Sequence, residues 1–350
     1  MARSLRTPRL ATALAAALLL LGTATACGGD KGGSGADAAA KGTGGGAFPV
    51  TIAHKYGSTT VPSEPRRVVT VGFTDQDAVL ALGTVPVGTT EWVGQYPGAV
   101  GPWAEDKLGG KKPTVLKNPG TGPQVERIAA LKPDLIVAVY GGLTKEQYQA
   151  LSAFAPVVAQ PKEYNDFGVP WQEQTRRIGQ ALGKSAEADR AVADTEAKLA
   201  AAARPEFKKA TALVATPYEG HFVFGSQDSR SRLLGSLGFG SPAGLDKVIG
   251  GQFGASISKE RTDLLDQDAI VWMVGDVAKD AAKLRQDSSY GDLKVVKEGR
   301  EVYIPEKTAY GHAMSFGTVL SLPYVAERLS AQLAAAVDGN PATKVEQPAS

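Results

Sequence analysis

A single cysteine and three histidines in 350 residues exclude a disulfide framework, a Cys-based zinc site and the His-rich clusters that hold zinc or manganese. Excess charge is missing too. Arg3, Arg6 and Arg9 meet no acid before residue 27, which leaves 35 basic against 36 acidic residues in the other 324. Such a balance offers no patch that seeks nucleic acid. Only Leu10 to Leu21 forms a long Ala/Leu-rich run, too short for a stop-transfer helix across about 30 Å of hydrocarbon, which excludes a polytopic membrane protein. Catalytic signatures are equally scarce. No Gly-x-Ser-x-Gly elbow occurs, and Gly120-Thr121-Gly122 runs into Pro123 without the third glycine of a dinucleotide fingerprint, so it reads as a turn. His54, His221 and His312 are far apart in the chain; only His221 and His312 are candidates to meet in a cleft.

What is present begins at the amino terminus. Three arginines, the Ala/Leu run and the small residues Gly22 to Ala26 form a secretory signal over residues 1–26, and small residues directly before Cys27, with Gly28 and Gly29 after it, resemble a bacterial lipobox. Lipidation of Cys27 accounts for an unpaired thiol outside the cell. Residues 28–47 hold nine glycines and no aromatic, Leu, Ile or Val, so they cannot bury enough surface to order themselves and read, with Cys27, as a flexible tether.

From Val50 the pattern changes. Val50–Lys55 and Ser58–Val61 read as a hairpin, followed by a buried strand Arg67–Val71 and a short helix through Ala78, Val79, Leu80 and Leu82, started by a Thr74/Asp77 capping box and ended by Gly83. Strands then alternate with helices: Pro86–Thr89, Thr114–Leu116, helix Gln124–Leu131, Asp134–Val139, helix Lys145–Phe154 capped by Thr144, and Val157–Ala159. Residues 168–204 read as one long helix, with Gly183-Lys184-Ser185 the place for any break. Alternation resumes with strand Ala212–Ala215, helix Ser231–Leu237, helix Lys259–Leu265 capped by Ser258, strand Ala269–Val274, helix Lys279–Asp287, strand Glu301–Ile304 and helix Thr318–Ala336. The expectation is an α/β protein of two Rossmann-like lobes, 48–167 and 205–338, joined by a linking helix, with residues 339–350 a disordered tail. Loops beyond the carboxyl ends of the strands would build a cleft between the lobes.

Those loops carry aromatic side chains: Phe73, Trp92, Tyr140, Tyr218 and Phe222, Tyr310 and Phe316. Rings of this kind grip a bulky, partly apolar ligand. Arg230, at the start of a helix after a Gly/Ser/Gln/Asp loop, can stack on an aromatic group and donate to oxygen anions at once. Trp272, inside the apolar run Ala269–Val274, is expected in the core.

The run Arg66 to Gly83 with Asp75-Gln76-Asp77 in it, then Pro86-Val87-Gly88, resembles the opening of the periplasmic-binding-protein family that serves ABC importers of ferric siderophores, haem and cobalamin. The Asp-Gln-Asp form resembles its iron-siderophore branch. Val125 to Ile136, Arg232 to Phe239, Ser258-Lys259-Glu260 and Val302-Tyr303-Ile304 extend the resemblance, in family order, from about Val50 to Ala336. It implies two lobes joined by a rigid long helix with small hinge motion, and an extracytoplasmic, lipid-anchored binder of a ferric siderophore that is monomeric and not an enzyme. It also implies that Glu126 and Glu260 dock on arginines of an ABC permease dimer coupled to a cytoplasmic ATPase, and that Phe73, Trp92, Tyr140, Tyr218, Arg230 and Tyr310 surround the chelate. No cofactor or protein metal ligand is implied, because the chelator already saturates its iron; were it incomplete, Tyr310 or His221 is the side chain to complete the sphere. Rival readings are haem or corrinoid carriage by the same machinery, a secreted α/β enzyme acting on siderophores, or a lipid-anchored adhesion module.

Overall fold

The computed structural model describes residues 48–117 and 122–348. The expected signal sequence, Cys27 and the tether lie outside the described residues, as do Gly120 and Thr121. The first lobe opens with a hairpin, β1 (Val50–His54) and β2 (Gly57–Val61), followed by β3 (Val68–Thr70), α1 (Asp75–Ala81), β4 (Gly88–Thr90), β5 (Thr114–Leu116), α2 (Val125–Ala130), β6 (Leu135–Ala138), α3 (Lys145–Ser152) and β7 (Val157–Ala159). Its sheet is wholly parallel in the order β5-β4-β3-β6-β7. Every residue of β3, β6 and β7 is buried, as covering a parallel sheet on both faces requires. The Thr144 capping box forms in full with Gln147. The Thr74/Asp77 box does not: Thr74 makes no side-chain cap bond, and the Asp77 carboxylate is drawn away by donors outside the helix.

The second lobe comprises β8 (Ala212–Thr216), β9 (His221–Phe224), α6 (Ser229–Leu237), α7 (Leu245–Ile249), β10 (Gly254–Ile257), β11 (Ala269–Val274), α8 (Val277–Gln286), α9 (Ser288–Gly291), α10 (Lys294–Lys297), β12 (Glu301–Pro305), α11 (Ala309–Phe316) and α12 (Ser321–Ala336). Its sheet runs β10-β9-β8-β11-β12 and is mixed, because β9 lies antiparallel to both its neighbours. Neither β9 nor β10 is among the strands expected from the sequence: Gly254-Ala-Ser-Ile has little β-propensity, and β9 follows β8 after only four residues. All six residues of β11 are buried, Trp272 among them, each large apolar side chain contributing about 1.5–3 kcal/mol. Lys259–Leu265 is a 3₁₀ turn, not an α-helix, and Ser258 does not cap it.

The linker departs most from expectation. Instead of one long helix, residues 168–204 form α4 (Trp171–Ala181) and α5 (Ser185–Ala202), which reverse at Gly183, held at φ +69°. They pack side by side: Gln172 Nε2 donates to Glu196 Oε1 at 3.2 Å, and Arg176 Nε to Asp189 Oδ1 at 3.0 Å. One arm, α4, is tied to the first lobe, with Gln174 donating to Asp75 and Arg177 to the Ala53 carbonyl. The other, α5, is tied to the second, with Thr195 donating to Val319 O and the Ala202 carbonyl accepting from Ser330 Oγ. The tail is also ordered through residue 348. Gln347 accepts from Tyr303 N–H and donates to Glu301 C=O, both at 2.8 Å, so one amide side chain covers part of the open edge of β12.

The lobes touch directly as well. Thr318 Oγ1 donates to Asp77 Oδ2 at 2.5 Å, Tyr96 Oη lies 2.6 Å from His312 Nδ1, and Asn165 Nδ2 donates to Gly251 O at 2.6 Å. Burial pushes the carboxyls of Asp75 and Asp77 up to about 6. Ionisation therefore costs the folded state; what these groups contribute is complete below about pH 4, where the unfolded chain is protonated too, and is lost as pH rises through about 6. Asp77→Asn removes one such ionisation. The urea stability of this variant relative to the parent is expected to rise by about 2–3 kcal/mol between about pH 4 and pH 7, and a gap that stays flat would mean that Asp77 carries no such penalty.

Candidate functional site: an aromatic cleft between the lobes

Ligands of parallel sheets bind where the strand order reverses, beyond the carboxyl ends. In the first lobe that point falls between β3 and β6. There Gly72 and Gly141 bring the two loops together. A side chain at Gly72 would strike the Asp75 carboxylate at 2.1 Å, and one at Gly141 would lie 3.1 Å from Gly72 Cα. Asp75 accepts from the N–H groups of Val139 at 2.8 Å and Tyr140 at 3.2 Å and from Gln174 Nε2 at 2.7 Å, and Phe73 N–H donates to Tyr140 O at 2.8 Å. Phe73 and Tyr140 are thereby fixed side by side at the end of the sheet.

They form one wall of a cavity of about 230 Å³ whose other lining residues are Phe167, Asp228, Arg230, Phe253 and Phe316. Phe167, held at φ +61°, stacks on Phe73 with centroids 5.6 Å apart. Phe316 meets Tyr140 edge-on at 5.8 Å and Trp92 at 4.6 Å. On the second lobe Asp228 caps α6, accepting from Arg230 N–H at 2.9 Å, and binds the same residue's side chain in a fork, Nε to Oδ1 and Nη2 to Oδ2, both 2.8 Å. The guanidinium carbon sits 3.7 Å from the centre of the Phe224 ring. Burial opposes the Arg230 charge, but Asp228 outweighs it and holds the pKa above its ordinary value. Burial, with Asp228 nearby, pushes the Tyr140 phenol well up, so it stays neutral.

Of the six residues expected around a ligand, Phe73, Tyr140 and Arg230 line this cavity, and Trp92 backs Phe316 from the first lobe. Two do not belong to it. Tyr218, at the β8–β9 turn, is 61% exposed. Tyr310 is only 4% exposed, its hydroxyl donating to Gln332 Oε1; it shares α11 with Phe316, but six residues along a helix turn about 240°, which sends the two rings to different faces. In the second lobe the lining comes from the start of α6, the residue before β10 and, beyond β12, from Phe316 at the end of α11, one of the aromatics expected after that strand; the turn after β8 supplies none of it. Phe167, Asp228 and Phe253 escaped sequence reasoning. Only Asp228 left a signal, as the Asp in the loop ahead of the helix expected from Ser231; the helix in fact begins at Ser229, which makes Asp228 its cap.

The histidines stand apart. His54 lies 2.9 Å from Thr59 Oγ1, His221 packs on Trp272 and Tyr290, and His312 faces Tyr96, so neither His221 nor Tyr310 is placed to reach a metal in the cavity. Among the described residues no cluster of three His, Cys, Asp or Glu could hold a metal ion. A larger hollow of about 540 Å³ lies beside Lys209, Asp268 and Arg300, at the segments leading into β8, β11 and β12, opposite the carboxyl ends where parallel strands present their ligand sites. Glu126 and Glu260 are exposed in the first turns of α2 and of the Lys259–Leu265 turn; the Ser258 hydroxyl holds the Glu260 carboxyl below its usual range.

Two α/β lobes, a helical hinge and an aromatic cleft between them define a binder of small solutes. The periplasmic binding protein profile matches residues 68–308, and the chain belongs to that family, whose members are binding proteins. Among solved structures it is similar to a periplasmic solute binding protein from Mycobacterium smegmatis, 33% identical with a TM-score of 0.71 over 82% of this chain and 98% of the other. It is likewise similar to PiaA of Streptococcus pneumoniae in complex with ferrichrome, 28% identical with a TM-score of 0.73 over 83% and 99%. The probable siderophore-binding lipoprotein YfiY of Bacillus subtilis is 29% identical over 71% of this chain and 78% of its own length.

Asp228 holds two things at once, the cap of α6 and the charge of Arg230. Asp228→Ala is expected to lower urea stability by about 3 kcal/mol or more, and Asp228→Asn, which keeps an acceptor for the Arg230 N–H, by about 1 kcal/mol less. Equal losses would mean that the cap contributes nothing.

Proposed function

We propose that this chain is the substrate-binding lipoprotein of an ABC importer, anchored to the outer face of the cell membrane through Cys27, and that it carries a ferric siderophore in the cleft between its lobes to a permease. The observation that carries the reading is the cavity itself: five of its seven lining residues are aromatic, and its only charges are an ion pair. A chelate's organic shell is broad, apolar and studded with oxygen acceptors, which rings and a guanidinium recognise together. Similarity to a ferrichrome complex and to a siderophore-binding lipoprotein supports the choice of solute. At about 230 Å³ the cavity is smaller than the ~300–1,000 Å³ that encloses a drug-sized ligand, so the chelate seats one face against it and leaves the rest in the mouth of the cleft. The iron arrives held by its chelator, and the protein supplies no cofactor. Delivery rests on Glu126 and Glu260, one carboxylate per lobe, meeting basic groups on a permease dimer that an ATPase drives from the cytoplasm. Exposed ion pairs are individually weak, about 0–1 kcal/mol, so the two set orientation more than affinity.

Tryptophan emission tests the binding step, because Trp92 contacts Phe316 on the cavity wall. Titration of the tether-free domain with ferric siderophores is expected to give saturable quenching at micromolar concentration or below, about −8 kcal/mol or better, with iron-free siderophores, haem and cobalamin weaker. Quenching by haem or cobalamin alone would reassign the solute, and flat curves throughout would overturn the proposal. Reversing the charge of both Glu126 and Glu260 to Arg is expected to leave these titrations unchanged and to abolish iron uptake by cells.

A further inference from the structure

Resting on the siderophore reading, the structure carries a statement about which chelates the cleft admits. Its walls hold two charged side chains, Asp228 and Arg230, and these cancel in a two-point bridge with both N···O distances 2.8 Å. The arginine is nearly buried. Two of its nitrogens are committed to Asp228 and its face to the Phe224 ring, which leaves Nη1 to donate to a neutral oxygen acceptor rather than a free cation to receive an anion. The next charges out are one of each sign. Arg232 donates Nη1 to the Gly168 carbonyl at 2.9 Å and keeps its charge, and Glu306 stands near Arg230 with the opposite sign. The remaining lining groups are rings, whose faces are negative and attract cations.

Chelate classes differ sharply in charge. Three monoanionic hydroxamates cancel the charge of iron(III), whereas three dianionic catecholates overshoot it by three. Moving an anion out of water into a site without compensating charge is costly, and aromatic faces add to that cost. We infer that this cleft selects ferric chelates without net negative charge, of the tris-hydroxamate type, and rejects anionic tris-catecholates, with Asp228 setting the preference by cancelling Arg230.

The test compares one neutral ferric tris-hydroxamate with one trianionic ferric tris-catecholate, titrated into the folded domain at fixed ionic strength. The hydroxamate is expected to bind about a hundredfold more tightly, since the trianion is desolvated at a site that offers no compensating charge. Asp228→Asn retains a capping acceptor and releases the Arg230 charge, and is expected to narrow that ratio by about tenfold, an effect that weakens with salt. Should this variant fold poorly, Arg230→Gln leaves Asp228 uncompensated and is expected to widen the ratio instead. Catecholate binding equal to or tighter than hydroxamate binding would overturn the inference while leaving siderophore carriage standing. An unchanged ratio in both variants would remove Asp228 from its role. Failure of every ferric chelate to bind would instead overturn the functional reading beneath it.

Discussion

The carboxylate of Asp75 has no water to face. It sits at the first residue of α1, directly behind the crevice between β3 and β6, and takes its hydrogen bonds from the backbone of Val139 and Tyr140 and from the side chain of Gln174. A buried carboxylate is tolerable only when such donors surround it. The donors come from two parts of the protein: the loop after β6 on one side, the linker helix α4 on the other. One acidic group thus sets the distance between the loops that carry Phe73 and Tyr140 and fastens the first lobe to the linker. Gly72 follows from it, because any side chain there would occupy the position of the carboxylate.

The same economy of polar contacts joins the lobes. Asp77, two residues further along α1, accepts from Trp103 in its own lobe and from Thr318 in the other. With Tyr96 against His312, the paired helices α4 and α5 and one buried apolar cluster running through both lobes and the linker, separating the lobes would break packing as well as hydrogen bonds. A linker built this way resists wide opening. It suits a cleft that receives a rigid, bulky solute against one prepared wall rather than one that closes around a small solute.

Much of the architecture was legible in order along the chain. The strands Thr114–Leu116, Val157–Ala159 and Ala269–Val274 and the Thr144 cap of α3 stand where hydrophobic runs and capping residues place them. Strands β9 and β10 and helix α11 were not legible. β10 has little β-propensity and β9 follows β8 after a turn of four residues, while α11 holds Gly311 in its first turn and ends at Gly317, so its segment reads as a loop. Their absence from the sequence reading is what misdirected Tyr218 and Tyr310, since both were assigned by where loops were thought to lie.

Local chemistry along the chain determined what needs no distant partner: the lipobox-like start, the parallel α/β alternation, the apolar strands that must be covered on both faces, and the kinds of side chain able to grip a chelate. Tertiary structure alone decided which rings meet. Phe73, Phe167, Phe253 and Phe316 come from four separate segments that only the fold brings to one cavity. Contacts of that range depend on helix phase, strand direction and the reversal at Gly183, none of which is a property of any one stretch of sequence.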